Sequence, residues 1–264
     1  MKEICSKLNN LHIGIVGCGW LGIRMARKWQ IKNDLYTTTT SPDKIGALTF
    51  QGLNPRLIDF NTDNSTVDIL TWEVVSSLDV LIITFPISSR KDQDRNNIKR
   101  RIHNLSKFIG NFDGQLFFMD STSVYPDEQK EFIEDDISIE NVVAEYLLRA
   151  AYPEVNILRL GGLMGDDRQL HKYNVSNLDA PVNHVHFEDI IAIIEKMIEN
   201  RSRSKIYNIV APVHPTKREV ICEQTGQPYK EDKREIGRLI SSRRLMEELD
   251  YHFIYPDPRY FILS

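Results

Sequence analysis

Residues 11 to 29, LHIGIVGCGWLGIRMARKW, constrain the fold more than any other stretch of the chain. Leu11, Ile13, Ile15 and Val16 form a short apolar run of the kind that makes a buried strand. Gly17, Gly19 and Gly22 follow as G-x-G-x-x-G. Leu21, Met25 and Trp29 then recur every fourth residue, as along one face of a helix. This order suits a dinucleotide site. The first glycine makes a tight turn, the second lets the backbone approach a pyrophosphate, and the third lets the helix lie close on the strand. The N–H groups at the helix start, Trp20 and Leu21 among them, then face the phosphates, where the helix dipole favours negative charge. The bland alternative is a plain strand–turn–helix with convenient glycines.

The next segments extend this pattern. Asp34 to Thr40, rich in β-branched residues, reads as a second strand. An NAD site places an acid about 20 residues past the glycines, on the ribose 2′-hydroxyl. Here that position falls on Thr39, Thr40 and Ser41, with Lys44 just beyond. Hydroxyls tolerate a 2′-phosphate that a carboxylate would repel, so the expectation leans to NADP over NAD. Leu57 to Phe60 reads as a third strand with Asp59 at its end, facing either an adenine amino group or solvent. Asp79 to Phe85 is a fourth, apolar throughout as buried parallel strands are. Thr84 and Phe85 at its end are cofactor-binding candidates, and the following Pro86, Ile87 and Ser88 would pass near the cofactor ribose.

Residues 92–109 read as a helix with Ile98, Ile102, Leu105 and Phe108 inward, and Lys99, Arg100 and Arg101 on a solvated face. Gln115 to Met119 is a fifth strand running into Ser121, Thr122, Ser123 and Tyr125. A helix over 137–150 and a strand over 155–160 complete a strand–helix alternation. The expected fold class is therefore α/β, a Rossmann doubly wound parallel sheet with helices on both faces and a small C-terminal substrate region. The division expected is 1–160 for NAD(P) binding and 161–264 for a smaller substrate-binding region woven onto it. Residues 163–184 read as a long polar loop. Helices are expected at 187–198, 217–224 and 241–249, and a strand at 205–210.

Composition narrows the partners. At 264 residues and a net charge of −4, nothing draws the chain toward nucleic acid or an anionic membrane. No apolar stretch reaches the roughly 20 residues of a membrane span. Cys5, Cys18 and Cys222 are scattered and odd in number, so neither a disulfide framework nor a metal site is expected. A cytoplasmic setting and a small-molecule substrate are the expectations.

Several stretches taken together, GCGWLG at 17–22, STSVY at 121–125, ILRLGGLMGDDR at 157–168, VNHVHFEDI at 182–190 and YNIVAP at 207–212, resemble one superfamily. It is the extended short-chain dehydrogenase/reductases of the sugar-nucleotide epimerase and dehydratase kind, and more closely their atypical, YeeZ-like branch. The resemblance implies a nicotinamide cofactor across the strand ends, and it alone leads to the expectation of a homodimer. It matches Ser121 to the catalytic Ser/Thr that hydrogen-bonds the reacting oxygen, with a strand-end cap as the alternative, and Ser123 to a position that varies with the chemistry. It departs at the Tyr-x-x-x-Lys dyad. If Glu145 is the family's Glu, the Tyr and Lys positions hold Ile137 and Asn141. The one Tyr-x-x-x-Lys in the chain, Tyr229 to Lys233, lies in a hydrophilic stretch elsewhere. Tyr125 is then the candidate phenol. Arg159 and Arg168 are candidates for an anionic substrate group, Arg159 being equally plausible as a buried partner of a carboxylate. His184 and His186, two apart, make no metal pair. The resemblance implies an NAD(P)-dependent epimerase or reductase acting on a small polar or sugar-like substrate. A cofactor-binding sensor that has lost catalysis is the alternative.

Overall fold

The computed structural model describes residues 8–63, 68–87, 94–229 and 237–261. Seven strands form its central sheet: β1 (His12–Val16), β2 (Asp34–Thr39), β3 (Pro55–Leu57), β4 (Val80–Ile83), β5 (Gln115–Ser121), β6 (Asn156–Leu160) and β7 (Ile206–Ile209). Their order across the sheet is β7-β6-β5-β4-β1-β2-β3. Parallel pairing sets Ile13 beside Leu35 on one side and Val80 on the other, with Val80 beside Gln115. The order reverses direction between β1 and β4. With right-handed crossovers that reversal puts helices on both faces and opens a crevice at the strands' carboxyl ends.

Helix α1 (Trp20–Trp29) buries Leu21, Gly22, Met25, Ala26 and Trp29, the stripe its sequence spacing predicts. Helix α2 spans Pro42–Phe50. Helix α3 (Arg95–Ile109) starts where the Asp94 side chain accepts the Asn96 N–H, and it ends at Gly110 with φ of +59°. It buries Ile98, Ile102, Leu105 and Phe108. Helix α4 (Val143–Ala151) is shorter than the 137–150 expected, because Ile139–Asn141 forms a separate 3-10 turn. Helices α5 (Phe187–Glu199), α6 (Lys217–Thr225) and α7 (Arg243–Leu249) complete the set. Thr216 and Glu219 cap α6 reciprocally through each other's backbone N–H.

The chain's contacts gather into two units. The first comprises 1–120, 139–157 and 197–205, and the second 121–138, 158–196 and 206–264. In the first unit, two buried amides tie distant segments. Gln115 Nε2 donates to Met197 O and Ser202 O, and Asn156 Nδ2 donates to Leu116 O and Ser202 O. In the second, the stretch read as a polar loop carries strand pairing: Gly162–Met164 lies parallel to His184–His186, and Gly165 bridges Arg168. Part of that segment's backbone is paired in this way, which the polarity of its side chains concealed. No helix among the described residues is long and apolar enough to cross a membrane.

Candidate functional site

At the end of β1 the backbone turns at Gly17, with φ of +103°. A methyl group there would stand 2.9 Å from the Phe85 amide nitrogen and 3.0 Å from Thr84 Oγ1. At Gly22 it would stand 2.7 Å from Gly17 O, so α1 packs directly on the turn. At Gly19 it would meet nothing within 4 Å. The three glycines thus serve a turn, an open approach and a close packing, in that order.

Two threonines fix the turn. Thr38 Oγ1 accepts the Gly17 N–H at 2.9 Å, and the Thr84 hydroxyl donates to Gly17 O. Cys18 N–H donates to Thr38 O and Gly19 N–H to Gly17 O, each at 2.7 Å. The amides of the turn itself are therefore spent on the fold. What remains for a ligand is the start of α1, where no side chain caps the helix and the first i→i−4 bond is Ile23 N to Gly19 O.

The turn opens on a cleft of about 380 Å³ in the first unit. Gly17, Cys18 and Gly19 form its floor. Thr38, Thr39, Thr40 and Lys44 come from the end of β2 and the start of α2. Ile58, Asp59, Phe60 and Asn61 follow β3, and Thr84, Phe85 and Pro86 follow β4. Arg101 comes from α3. Phe60 stacks on Phe85 with centroids 4.9 Å apart, which makes this side apolar. Burial pushes the Cys18 thiol up to about 11 against the pull of Lys44 and Arg27, so it is a small packing residue and not a nucleophile.

In the second unit, Ser121 Oγ accepts the Ser123 N–H and caps the short 3-10 turn Thr122–Val124. Tyr125 and Arg159, each 2% exposed, lie in a buried polar network. Arg159 Nη1 donates to Tyr125 Oη at 2.7 Å and to Glu134 O at 2.8 Å. Tyr125 Oη donates to Asn208 Oδ1 at 2.8 Å. Glu134 Oε1 accepts the Asn208 N–H, and Asn208 Nδ2 donates to Ser241 O. Desolvation raises the Tyr125 phenol above its usual value, more than Arg159 and Asn208 lower it. Burial likewise raises the Glu134 carboxyl.

His186, also 2% exposed, stacks on Tyr255 with centroids 3.8 Å apart, and its Nδ1 accepts the Glu188 N–H. Burial lowers the His186 and His184 rings to about 4. Between pH 6.5 and 4 the unfolded chain therefore binds protons that these folded rings refuse, and stability is lost as the pH drops through that window, by about 3 kcal/mol for His186 alone. The raised carboxyls of Glu134 and Asp189 act in the opposite sense. Urea midpoints at pH 7 and 4.5 are expected to differ more for the native chain than for His186→Phe. Equal pH dependence in the two would contradict this.

No family model matches the sequence. Protein YeeZ of Escherichia coli strain K12 is 26% identical over 93% of this chain and 97% of its own. Among solved structures, the Bordetella bronchiseptica enzyme WbmG in complex with NAD superposes with a TM-score of 0.73 at 13% identity, covering 98% of this chain and 94% of that one. WbmG is also known in complex with NAD and UDP. UDP-N-acetylglucosamine 4-epimerase from Bacillus cereus superposes with a TM-score of 0.66 at 16% identity, over 95% and 96% of the two chains.

The chain is similar to protein YeeZ, and it shares its fold with WbmG and UDP-N-acetylglucosamine 4-epimerase.

Of the residues named from the sequence as cofactor candidates, Gly17, Gly19, Thr39, Thr40, Asp59, Thr84, Phe85 and Pro86 line the cleft. Trp20, Leu21, Gly22 and Ser41 contribute no lining side chain: Leu21 and Gly22 face the core, the Trp20 ring lies under Arg24, and the Ser41 N–H is held by Thr39 Oγ1. Trp20 and Leu21 are expected at a ligand only through their backbone N–H groups at the uncapped start of α1. Ser88 lies outside the described residues, as does Lys233. Asp59 sits beyond β3 rather than on it, because the ladder's last bond is Ile58 N to Thr39 O.

Arg101 corrects the reading of α3 as a solvated basic face. Its Nε donates to Asn61 Oδ1 and its Nη1 to Ile87 O, at 2.6 and 2.9 Å. Tyr125 and Arg159 are also corrected. A phenol that donates to Asn208 and accepts from Arg159 in the core has neither access nor a suitable pKa for proton transfer at neutral pH. Arg168 is half-buried, and its N–H is held by Gly165 O. Among the described residues no His, Cys, Asp or Glu cluster is arranged to hold a metal.

Proposed function

We propose that the cleft of the first unit takes a nicotinamide dinucleotide, NADP in preference to NAD. We further propose that the protein is an epimerase- or reductase-like member of its superfamily, acting on a small polar or sugar-like substrate. One observation carries the reading: Gly19 stands open at the uncapped start of α1, beside a strand end furnished with hydroxyls and Lys44. The start of α1 would hold the diphosphate, Thr39, Thr40 and Lys44 a 2′-phosphate, Asp59 the base, and Thr84 to Pro86 the ribose. WbmG, crystallised with NAD and UDP, supports both the cofactor and a nucleotide-linked substrate.

When bound, the nicotinamide ring supplies a hydride donor or acceptor. In the second unit, Ser121 would orient the substrate oxygen, its own rotamer set by the Ser123 N–H, with Ser123 and Arg168 at the substrate. With Tyr125 committed to the core, the proton would pass to water. The second reading, a cofactor sensor without turnover, is favoured if Glu145 is the family's Glu, because Ile137 and Asn141 then stand at the dyad positions. Small substrate, homodimer and cytoplasmic setting belong to the same proposal.

The test is a titration of NADPH and NADH against tryptophan fluorescence. NADPH is expected to bind more tightly, and Lys44→Ala to weaken NADPH about tenfold while changing NADH less than about twofold, the size of one charge-assisted contact. Binding of neither below millimolar overturns the reading. Nicotinamide absorbance at 340 nm, followed with ketones, aldehydes and sugar nucleotides, then separates the two readings. Turnover lost in Ser121→Ala supports the enzyme, and tight binding without turnover the sensor.

A further inference from the structure

Helix α3 grips the segment 59–62, which forms one wall of the cleft. Asn104 Nδ2 donates to Phe60 O and to Thr62 O, both at 3.0 Å. One turn earlier, Arg101 Nε donates to Asn61 Oδ1 at 2.6 Å, while Nη1 holds Ile87 O. With its carbonyl oxygen taken by Arg101, the Asn61 amide is oriented so that Nδ2 donates to Asp59 Oδ1 at 2.7 Å. The Asn61 backbone N–H reaches the same oxygen at 2.9 Å. The Asp59 carboxylate is thereby fixed through Oδ1, and Oδ2 is the oxygen left for a ligand. Both Asp59 and Arg101 line the cleft.

We propose that Arg101 is the positioning residue that makes the cleft select an amino-bearing purine. It orients Asn61, which holds Asp59 with one acceptor turned to the base. An ionised carboxylate only accepts, so it binds an exocyclic amine and repels a ring carbonyl at the same place. Adenine is taken and hypoxanthine refused. Without Arg101 the Asn61 amide is free to turn. Its own N–H₂ and C=O then lose their fixed direction, and Oδ1 keeps only the Asn61 backbone N–H, which leaves the carboxylate's rotation unset. The proposal rests on the dinucleotide reading of the cleft.

The experiment uses the full chain and compares NADH or NADPH, whichever binds, with its hypoxanthine counterpart. The native protein is expected to bind the adenine form at least about tenfold more tightly, one hydrogen bond to a charged acceptor. Arg101→Leu is expected to bring the ratio below about threefold, and Arg101→Lys to recover part of it. Asn61→Ala is expected to match Arg101→Leu, and it serves in its place if that variant fails to fold. The affinity ratio is the readout, because general loosening of the wall weakens both nucleotides alike. A native preference that survives both Arg101→Leu and Asn61→Ala overturns the role of Arg101. Equal binding of adenine and hypoxanthine forms by the native chain overturns the base selection. Failure of either dinucleotide to bind overturns the reading beneath it.

Discussion

Gly17→Ala is expected to destabilise the protein by about 3 kcal/mol, whereas Gly19→Ala leaves stability within about 1 kcal/mol and abolishes dinucleotide binding. The two glycines stand two residues apart in one turn, and different physics acts on each. At Gly17 the backbone holds φ of +103°, a region that costs an L residue roughly 1–3 kcal/mol. The added methyl would also stand 2.9 Å from a backbone nitrogen of the neighbouring strand end, which has no rotamer by which to retreat. At Gly19 φ is −85° and space is open, so the methyl strains nothing in the fold. Ala is a poorer N-cap than Gly, which accounts for the small loss allowed. That same methyl would occupy the approach to the start of α1. Urea melts and nucleotide titrations on both variants check this. If Gly19→Ala binds the dinucleotide as the native chain does, the diphosphate does not lie over this turn.

Arg159→Leu is expected to cost about 3–5 kcal/mol, the price of breaking a buried charged network from one side. Its guanidinium supplies a donor to the Tyr125 hydroxyl and another to Glu134 O. Arg244, 3.6 Å from the buried Glu134 carboxylate, stays in place and limits the loss. Arg159→Lys is expected to recover less than half, since the shorter lysine stem does not carry its ammonium to where Nη1 meets both acceptors. Tyr125→Phe should cost about 1–2 kcal/mol, and the double variant less than the sum of the two. Equilibrium denaturation measures all of these. A stable Arg159→Leu protein with only a raised KM would return Arg159 to the substrate.

The parts of this molecule legible in its sequence are those decided by neighbours along the chain. Leu21, Met25 and Trp29 face inward because a helix puts every fourth residue on one side. The order of the glycines fixes their jobs because strand, turn and helix follow one another without interruption. The hydrophobic stripe of α3 is legible for the same reason. Illegible were the places where the deciding partner is remote in sequence. Tyr125 reads as a free phenol until Asn208, 83 residues on, accepts its hydrogen bond. Arg101 reads as one of three solvated cations until Asn61, 40 residues before it, draws it to the cleft. Asp59 was placed on a strand because LIDF is apolar enough to be one. Only the ladder's last bond, at Ile58, shows where pairing stops.

The interleaving of the two units bears on synthesis. The first unit draws on 139–157 and 197–205 as well as on the residues before 121. The Gln115 and Asn156 amides both wait for the carbonyl of Ser202. A ribosome that has delivered 160 residues has therefore made most of the first unit with the Gln115 amide lacking both of its acceptors and the Asn156 amide lacking one of its two. Fragments cut at that point should be recovered as aggregates, and the cleft should become competent only once translation has passed Lys205.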